Sequence, residues 1–400
     1  MSRPAASTLS SSRGLVLDLV RFRGPISRVE IADLTGLTQG TISNVVRALL
    51  AEDLVQETGA RKYTGGQPRV MLTLNPRSRF SVGVQLDADW IVVVVVDAAG
   101  SVIARARVRG ARSSDPRDVV EAVARQVDVL LRATGVDRTL VIGLGVAAPG
   151  ILDLQAGTIL AARTLEPWRD FPVRQALQEA TALQVYLDSD ATAAAVGEFW
   201  GGGLEGSRAH CTVYMGASIG VGIVIEGSVY RGASSNTGPL GYMRMPGNGR
   251  GERGTDRMTL EELAGPRAVA ERARSAIAAG RASSAQISPD GDPFTDFAAV
   301  ANAAVLGDPL SLALIAESAE HLAAAVTTVV NLLDADSVAL AGPSFTTAGS
   351  IYLTIVRQQI RADFVAQAKH GVSVELSINV ADAGAVGAAA LVLQHQLAPR

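Results

Sequence analysis

Several residue types are scarce in this 400-residue sequence, and each shortage closes off a class of function. Cysteine occurs once, at Cys211, so the chain holds no internal disulfide and no multi-cysteine metal site. That usage fits a reducing cytoplasm. Lysine is almost missing: of the 36 Lys and Arg residues, only Lys62 and Lys369 are lysine. Aromatic residues make up 4%. The longest pure aliphatic run, Ile91 to Val96, is far short of the roughly 20 residues that span a bilayer. The opening MSRPAASTLSSSRG has no apolar stretch of the kind a secretion signal needs, and it reads as a flexible polar lead over residues 1–12. These shortages predict a cytoplasmic protein without a membrane partner.

What is present is ample core material: 48% apolar and 19% charged residues, as in ordinary α/β proteins. The length suits a small domain followed by a larger two-lobed one. The net charge of −3 is unevenly spread. Residues 1–80 carry 11 basic and 6 acidic side chains, leaving 25 and 33 for the remainder. A basic head on an acidic body points to a polyanionic partner for the head alone.

Leu15, Leu19 and Phe22 recur at helical spacing, and Gly24-Pro25 stops that helix. Ser27 with Glu30 three residues on is the capping-box pattern, opening a second helix over Arg28 to Thr35 that would bury Ile31, Ala32 and Leu34. Gly36 lies in the turn that follows, and Thr38 caps a third helix from Gln39 to Ala51, burying Ile42, Val45 or Val46, and Leu49. The third helix leaves a polar face of Gln39, Thr41, Ser43, Asn44 and Arg47, suited to base edges and phosphates. Leu54–Gln56 and Val70–Leu74 read as strands around a basic hairpin that contains Gly66, Gln67 and Arg69. Together these form a winged helix-turn-helix over 13–78, with Arg28, Thr38, Gln39, Thr41, Ser43, Asn44, Arg47, Gly66, Gln67 and Arg69 as the candidate DNA contacts. A three-helix protein-interaction module is the plainer alternative.

From residue 79 the pattern is strand (Ser81–Leu86), strand (Trp90–Asp97), strand (Ser101–Arg107), helix (Asp118–Ala133), strand (Leu140–Ala147), and it restarts near His210. That order opens each lobe of actin-like ATPases and sugar kinases. Landmarks in GPISRVEIADLTGLTQGTISNVVRALLAEDLV, GGQPR, VGVQLDADWIVVVVVDAAG, GLGVAAPGILD and LDSDATAAAVGE agree with this, as do GASIGVGIVIEGSVYRGASSNTGPLGYM and GAVGAAAL. In order and spacing the chain resembles the ROK family (repressors, open reading frames and kinases), in its long form with an N-terminal winged helix. The resemblance implies a two-lobed sensor and dimerisation domain over 79–400. Lobe one takes in about 79–188 plus 383–400, and lobe two about 189–382.

Against the family's kinases the chain departs in three places. Their first phosphate loop, DxGGTK, corresponds to Gln85, Asp87, Ala88, Asp89 and Trp90, which put two carboxylates and an indole where phosphates would lie. The second loop is Gly216-Ala217-Ser218-Ile219-Gly220-Val221-Gly222, short of a threonine and two glycines. The GExGH stretch has become Gly238-Pro239-Leu240-Gly241-Tyr242, and the zinc loop's cysteines are gone from 248–255, so neither zinc nor any other cofactor is expected. Arg250, Glu252, Arg253, Asp256 and Arg257 offer an ionic substitute there, or merely a solvated loop. Asp190 matches the family's catalytic base, kept either for ligand or for structure. With Thr164, Trp168, Ser189, Tyr242 and Glu261 it makes the candidate effector set.

The resemblance implies a regulator, a repressor of carbohydrate uptake or catabolic genes, with no enzyme activity. Its expected partners are a palindromic double-stranded operator, a sugar or sugar-derived effector, and a second copy as homodimer or dimer of dimers. Two other readings are a sugar kinase with an accessory DNA-binding head, and an effector-independent DNA-binding protein whose body only dimerises.

Overall fold

The computed structural model describes residues 5–62, 69–112, 114–204, 206–246, 257–288 and 291–398. The head comprises α1 (Ala5–Arg23), β1 (Ile26–Ser27), α2 (Arg28–Thr35), α3 (Gln39–Ala51), β2 (Val55–Lys62) and β3 (Arg69–Leu74). The helix assigned to α1 begins before the expected domain start at residue 13. Its buried edge is Val16, Leu17 and Val20, whereas Leu15 is 46% exposed. The expected stripe is therefore one residue out, because α1 turns its 16/17/20 edge toward α3 and β3. The expected burial of Leu34 also fails: it is 51% exposed, since the short α2 meets the core through Ile31 and Ala32. In α3 both Val45 and Val46 are buried, along with Ile42 and Leu49.

β1 was not anticipated. Two residues after the turn at Gly24-Pro25 suffice to pair Ile26 with Leu72, so the wing strands form a three-stranded antiparallel sheet in the order β1-β3-β2. Gly66 and Gln67 lie outside the described residues, as do positions 250–256.

The first lobe is built from β4 (Phe80–Gln85), β5 (Trp90–Asp97), β6 (Val102–Arg109), α4 (Pro116–Thr134), β7 (Val141–Ala148), β8 (Ile151–Asp153), β9 (Thr158–Ala161), α5 (Val173–Thr181) and β10 (Val185–Ser189). Its main sheet has the order β10-β7-β4-β5-β6, three antiparallel strands continued by two parallel ones. Helix α6 (Asp190–Trp200) then leads to β11 (Ala209–Met215), β12 (Ile219–Ile225), β13 (Ser228–Val229), β14 (Arg244–Pro246) and β15 (Arg257–Thr259). After these come α7 (Leu260–Ala264), α8 (Pro266–Ala278), α9 (Pro293–Val305), α10 (Pro309–Leu333), β16 (Ser337–Ala341), α11 (Phe345–Asp363), β17 (Ser373–Leu376) and α12 (Ala383–Leu397). The second sheet, β13-β12-β11-β16-β17, repeats the first sheet's pattern of directions. The repeat expected near His210 is this sheet.

By length and composition α10 could cross a membrane, which no single aliphatic run had suggested. Its apolar face instead packs on α9 and α11 in the core of lobe two.

The C-terminal helix α12 returns to lie on β4 and β7 of lobe one and crosses α6. The approach is close enough to require glycine. A Cβ at Gly145 would sit 1.8 Å from the Ala388 carbonyl oxygen, and one at Gly387 would sit 1.9 Å from that of Ala193. Real side chains never come so near. The AGAVGAAA start of α12 is therefore what lets the two lobes meet through helix backbones.

Candidate functional site

The head's reading surface follows from its caps. Ser27 Oγ accepts from the Glu30 N–H (3.3 Å), and Glu30 Oε2 accepts from the Ser27 N–H (2.9 Å), completing the expected capping box. Gly36 closes α2 in the left-handed region (φ 67°), a conformation that glycine adopts without strain. Thr38 Oγ1 then accepts from Thr41 N (3.2 Å) and fixes the first turn of α3. With Ile42, Val46 and Leu49 held in the core, Thr38, Gln39, Asn44 and Arg47 stand exposed, and Thr41 and Ser43 are half-buried. Arg47 donates to Asn44 Oδ1 (3.1 Å), so the two side chains present one combined edge. Arg28 is already engaged by Glu57 of β2 (3.0 Å), and Arg69 is half-buried at the start of β3.

A second constellation lies where the lobes meet. A pocket of about 60 Å³ is lined by Thr164, Ser189, Asp190, Tyr242 and Glu261, five of the six expected effector residues. The sixth does not belong. Trp168 is 1% exposed, stacks edge-on against Phe171 and donates its indole N–H to the Ala111 carbonyl (3.3 Å), so it is core of lobe one. Ser189 spends its hydroxyl as the N-cap of α6, accepting from Thr192 N (3.2 Å).

Asp190 opens α6 and accepts from Ala191 N (2.7 Å). Burial pushes its carboxyl up to about 7, and the charges of Asp87 and Glu261 push the same way. Glu261 is also raised, chiefly by burial. Arg163, which the sequence reading overlooked although it adjoins Thr164, pairs with Glu261 (3.4 Å) and lies 5.1 Å over the Tyr242 ring. Asn236, also overlooked, braces the wall by bonding both backbone groups of Leu152 (2.8 and 2.9 Å). Pro239, from the Gly238–Tyr242 stretch, also lines the pocket. Among the described residues no three His, Cys, Asp or Glu side chains converge as a metal site. Two carboxyls, a guanidinium, hydroxyls and an aromatic face can bind a polyhydroxylated ligand by hydrogen bonds.

Head and pocket are joined by one element. Helix α6 begins at Asp190 and ends at Trp200, whose indole N–H donates to the Ala98 carbonyl (3.1 Å). The guanidinium of Arg21, from α1, lies 4.1 Å over the Trp200 ring and 4.0 Å over that of Phe22, and it donates to the Trp200 carbonyl. Phe22 meets Phe199 edge-on at 5.4 Å. The head's core thus runs without a break into the core around α12 and Trp200.

This arrangement of head and lobes agrees with what known proteins show. Residues 81–395 match the model of the ROK family. The chain belongs to the ROK family. A provisionally named xylose repressor of Caldicellulosiruptor sp. (strain Rt8B.4) is 28% identical over 385 residues, covering 96% of both chains. A glucokinase of Halalkalibacterium halodurans is 25% identical over 319 residues, 80% of this chain and 96% of that one. A crystal structure of a ROK family transcriptional regulator, a homologue of the Escherichia coli Mlc protein, superposes with a TM-score of 0.75 over 97% of this chain and 96% of that one, at 23% identity. The winged head and two-lobed α/β body are therefore a ROK regulator's fold.

Proposed function

We propose that this ROK protein is a cytoplasmic, sugar-responsive transcriptional repressor without kinase activity. In this reading α3 is the recognition helix, and two copies read a palindromic operator upstream of carbohydrate uptake or catabolic genes. The observation that carries the proposal is the single helix α6, with the pocket's Asp190 at one end and the head's Arg21 packed on the other. A ligand that prefers one lobe arrangement can bias the head through it. The relative named as a xylose repressor supports a sugar as the signal, since it matches head and body alike.

The kinase reading draws on the retained Asp190 and on the glucokinase relative. Against it stand Asp87, Asp89 and Trp90 where a triphosphate would need glycines and a cation. The test is fluorescence anisotropy with the DNA flanking the protein's own gene, with and without D-xylose, D-glucose and D-glucuronate, beside an ADP-release assay on the same sugars. Saturable binding weakened by one sugar, without ADP release, is the expected result. ADP release at enzymatic rates, or no specific DNA binding, overturns the proposal.

A further inference from the structure

The pocket around Asp190 is shut too tightly to admit a sugar. Its volume of about 60 Å³ has room for about two waters, and a sugar ring is several times that size. What shuts it crosses from one lobe to the other. Arg163, just after β9 in lobe one, reaches Glu261 of α7 in lobe two (3.4 Å) and lies 5.1 Å over the ring of Tyr242, also in lobe two. Arg231 reaches the opposite way, from the loop after β13 in lobe two to the Asp188 carboxylate near the end of β10 in lobe one. It roots the loop whose Asn236, Thr237, Gly238 and Pro239 line the pocket, and Asn236 stitches that loop to Leu152 of lobe one. Across a wider cleft between the same lobes, about 590 Å³ in volume, Arg112 pairs with Asp292 (3.2 Å), although Asp89 of its own lobe holds it closer (2.5 Å).

Glu261 and Tyr242 offer what a sugar needs, an acceptor for hydroxyls and a flat apolar face. Arg163 takes up both. The Arg163–Glu261 pair is open to solvent, its side chains 56% and 18% exposed, so it is weak and salt screens it. Arg231–Asp188, at 30% and 2%, is the more sheltered half.

We propose that Arg163 and Arg231 form an ion-pair clasp that holds the lobes closed over the pocket and has to part before a sugar enters. The inference rests on reading this pocket as the effector site. An entering sugar competes with Arg163 for Glu261 and the Tyr242 face, so the bound ligand keeps that half of the clasp from re-forming. Ligand and clasp therefore favour different lobe arrangements, which is what a signal requires.

The first test needs neither sugar nor DNA. Gln178→Cys on α5 and Ser275→Cys on α8 put one spin label in each lobe of the full chain, both at exposed positions. The native Cys211 is 1% exposed, with its thiol pushed up to about 12 by burial, and stays unlabelled. Pulsed electron resonance should give one short inter-lobe distance at about 0.02 M NaCl, and a longer one should grow in at about 1 M, where charges are screened within about 3 Å. Arg163→Gln with Arg231→Gln should show the longer distance already at low salt. Arg208→Gln, which breaks the Arg208–Glu226 pair inside lobe two (2.6 Å), should not. The second test is stopped-flow binding of D-xylose and D-glucose. These sugars are uncharged, so salt speeds their entry only by loosening the protein's own pairs. Arg163→Gln should bind the responsive sugar about three-fold faster or more. A distance that neither salt nor the double variant lengthens overturns the proposal, and so does slower association with Arg163→Gln, which would make Arg163 a ligand contact. Should the double variant fail to fold, the salt series on the otherwise unaltered chain decides it. Should no sugar bind, the effector reading falls while the label distances still decide the clasp.

Discussion

Asp190 and Trp200 are the first and last residues of one helix, about 15 Å apart along its axis, and they belong to different machinery. Asp190 lines the smaller pocket between the lobes, while Trp200 carries the Arg21 guanidinium on its ring. A short helix buried over most of its length moves as a unit, because its neighbours leave it no room to bend. Arg21→Met keeps much of the side chain's bulk and removes the stacking charge. In that variant the sugar-dependent change in operator affinity should shrink at least three-fold, while affinity without sugar stays within about three-fold. Hydrogen exchange along Val16–Val20 should quicken. An unchanged sugar response would show that α6 does not carry the signal.

The head makes a sharper demand. Asn44 and Arg47 are exposed and hydrogen-bonded to each other, and in the proposed reading this pair meets base edges. Arg47→Ala or Asn44→Ala should cost about 1–3 kcal/mol of specific operator affinity and leave non-specific binding nearly intact. Arg28→Ala should cost less than either, since Glu57 already holds that guanidinium. Anisotropy on operator and scrambled duplexes measures both. Equal loss on the two duplexes would reassign α3 to backbone contact.

Local signals carried much of this into the sequence. The capping box at Ser27 and Glu30, the glycine at Gly36 and the cap at Thr38 are short-range chemistry, so the helix limits and the buried side of α3 were legible from neighbouring residues. Thr164, Ser189, Asp190, Tyr242 and Glu261 were legible only through resemblance, since nothing local tells that 98 residues separate Arg163 from its partner Glu261. Trp168 shows the converse error. It was placed in the effector set with Thr164, but a 3₁₀ turn at Glu166–Trp168 directs its ring into lobe one's core. The pair β1 and β3 escaped because two residues are too few to show alternation.

Asp87 and Asp190 make stability depend on pH. Each carboxyl is raised from 3.8 to about 7 by burial, so between those values the folded chain binds more protons than the unfolded one. Their contribution is fully present below about 4 and is lost as pH rises through 7. Asp190→Asn keeps an oxygen for the Ala191 N–H and removes the charge. It should therefore melt higher than the parent above pH 7.5, by on the order of 2 kcal/mol, with the advantage shrinking toward pH 5. Melting curves at pH 5.0 and 8.0 test this. A difference independent of pH would mean that Asp190 is ionised throughout.

The crossing of α6 and α12 ties these effects together, and Gly387 is where it can be broken. A Cβ there would lie 1.9 Å from the Ala193 oxygen, 2.2 Å from its carbonyl carbon and 2.8 Å from the Ala194 nitrogen. All three are backbone atoms, so no rotamer relieves the clash and the helices themselves must part. Gly387→Ala should destabilise the chain by about 1–3 kcal/mol or more. Gly371→Ala, with no atom within 4 Å of the added Cβ, should melt like the parent. Because α6 holds both Asp190 and Trp200, the folded fraction of Gly387→Ala should also lose its sugar response while still binding operator through α3. Normal melting of that variant would mean the helices slide apart freely, and α6 could then pass no displacement from pocket to head.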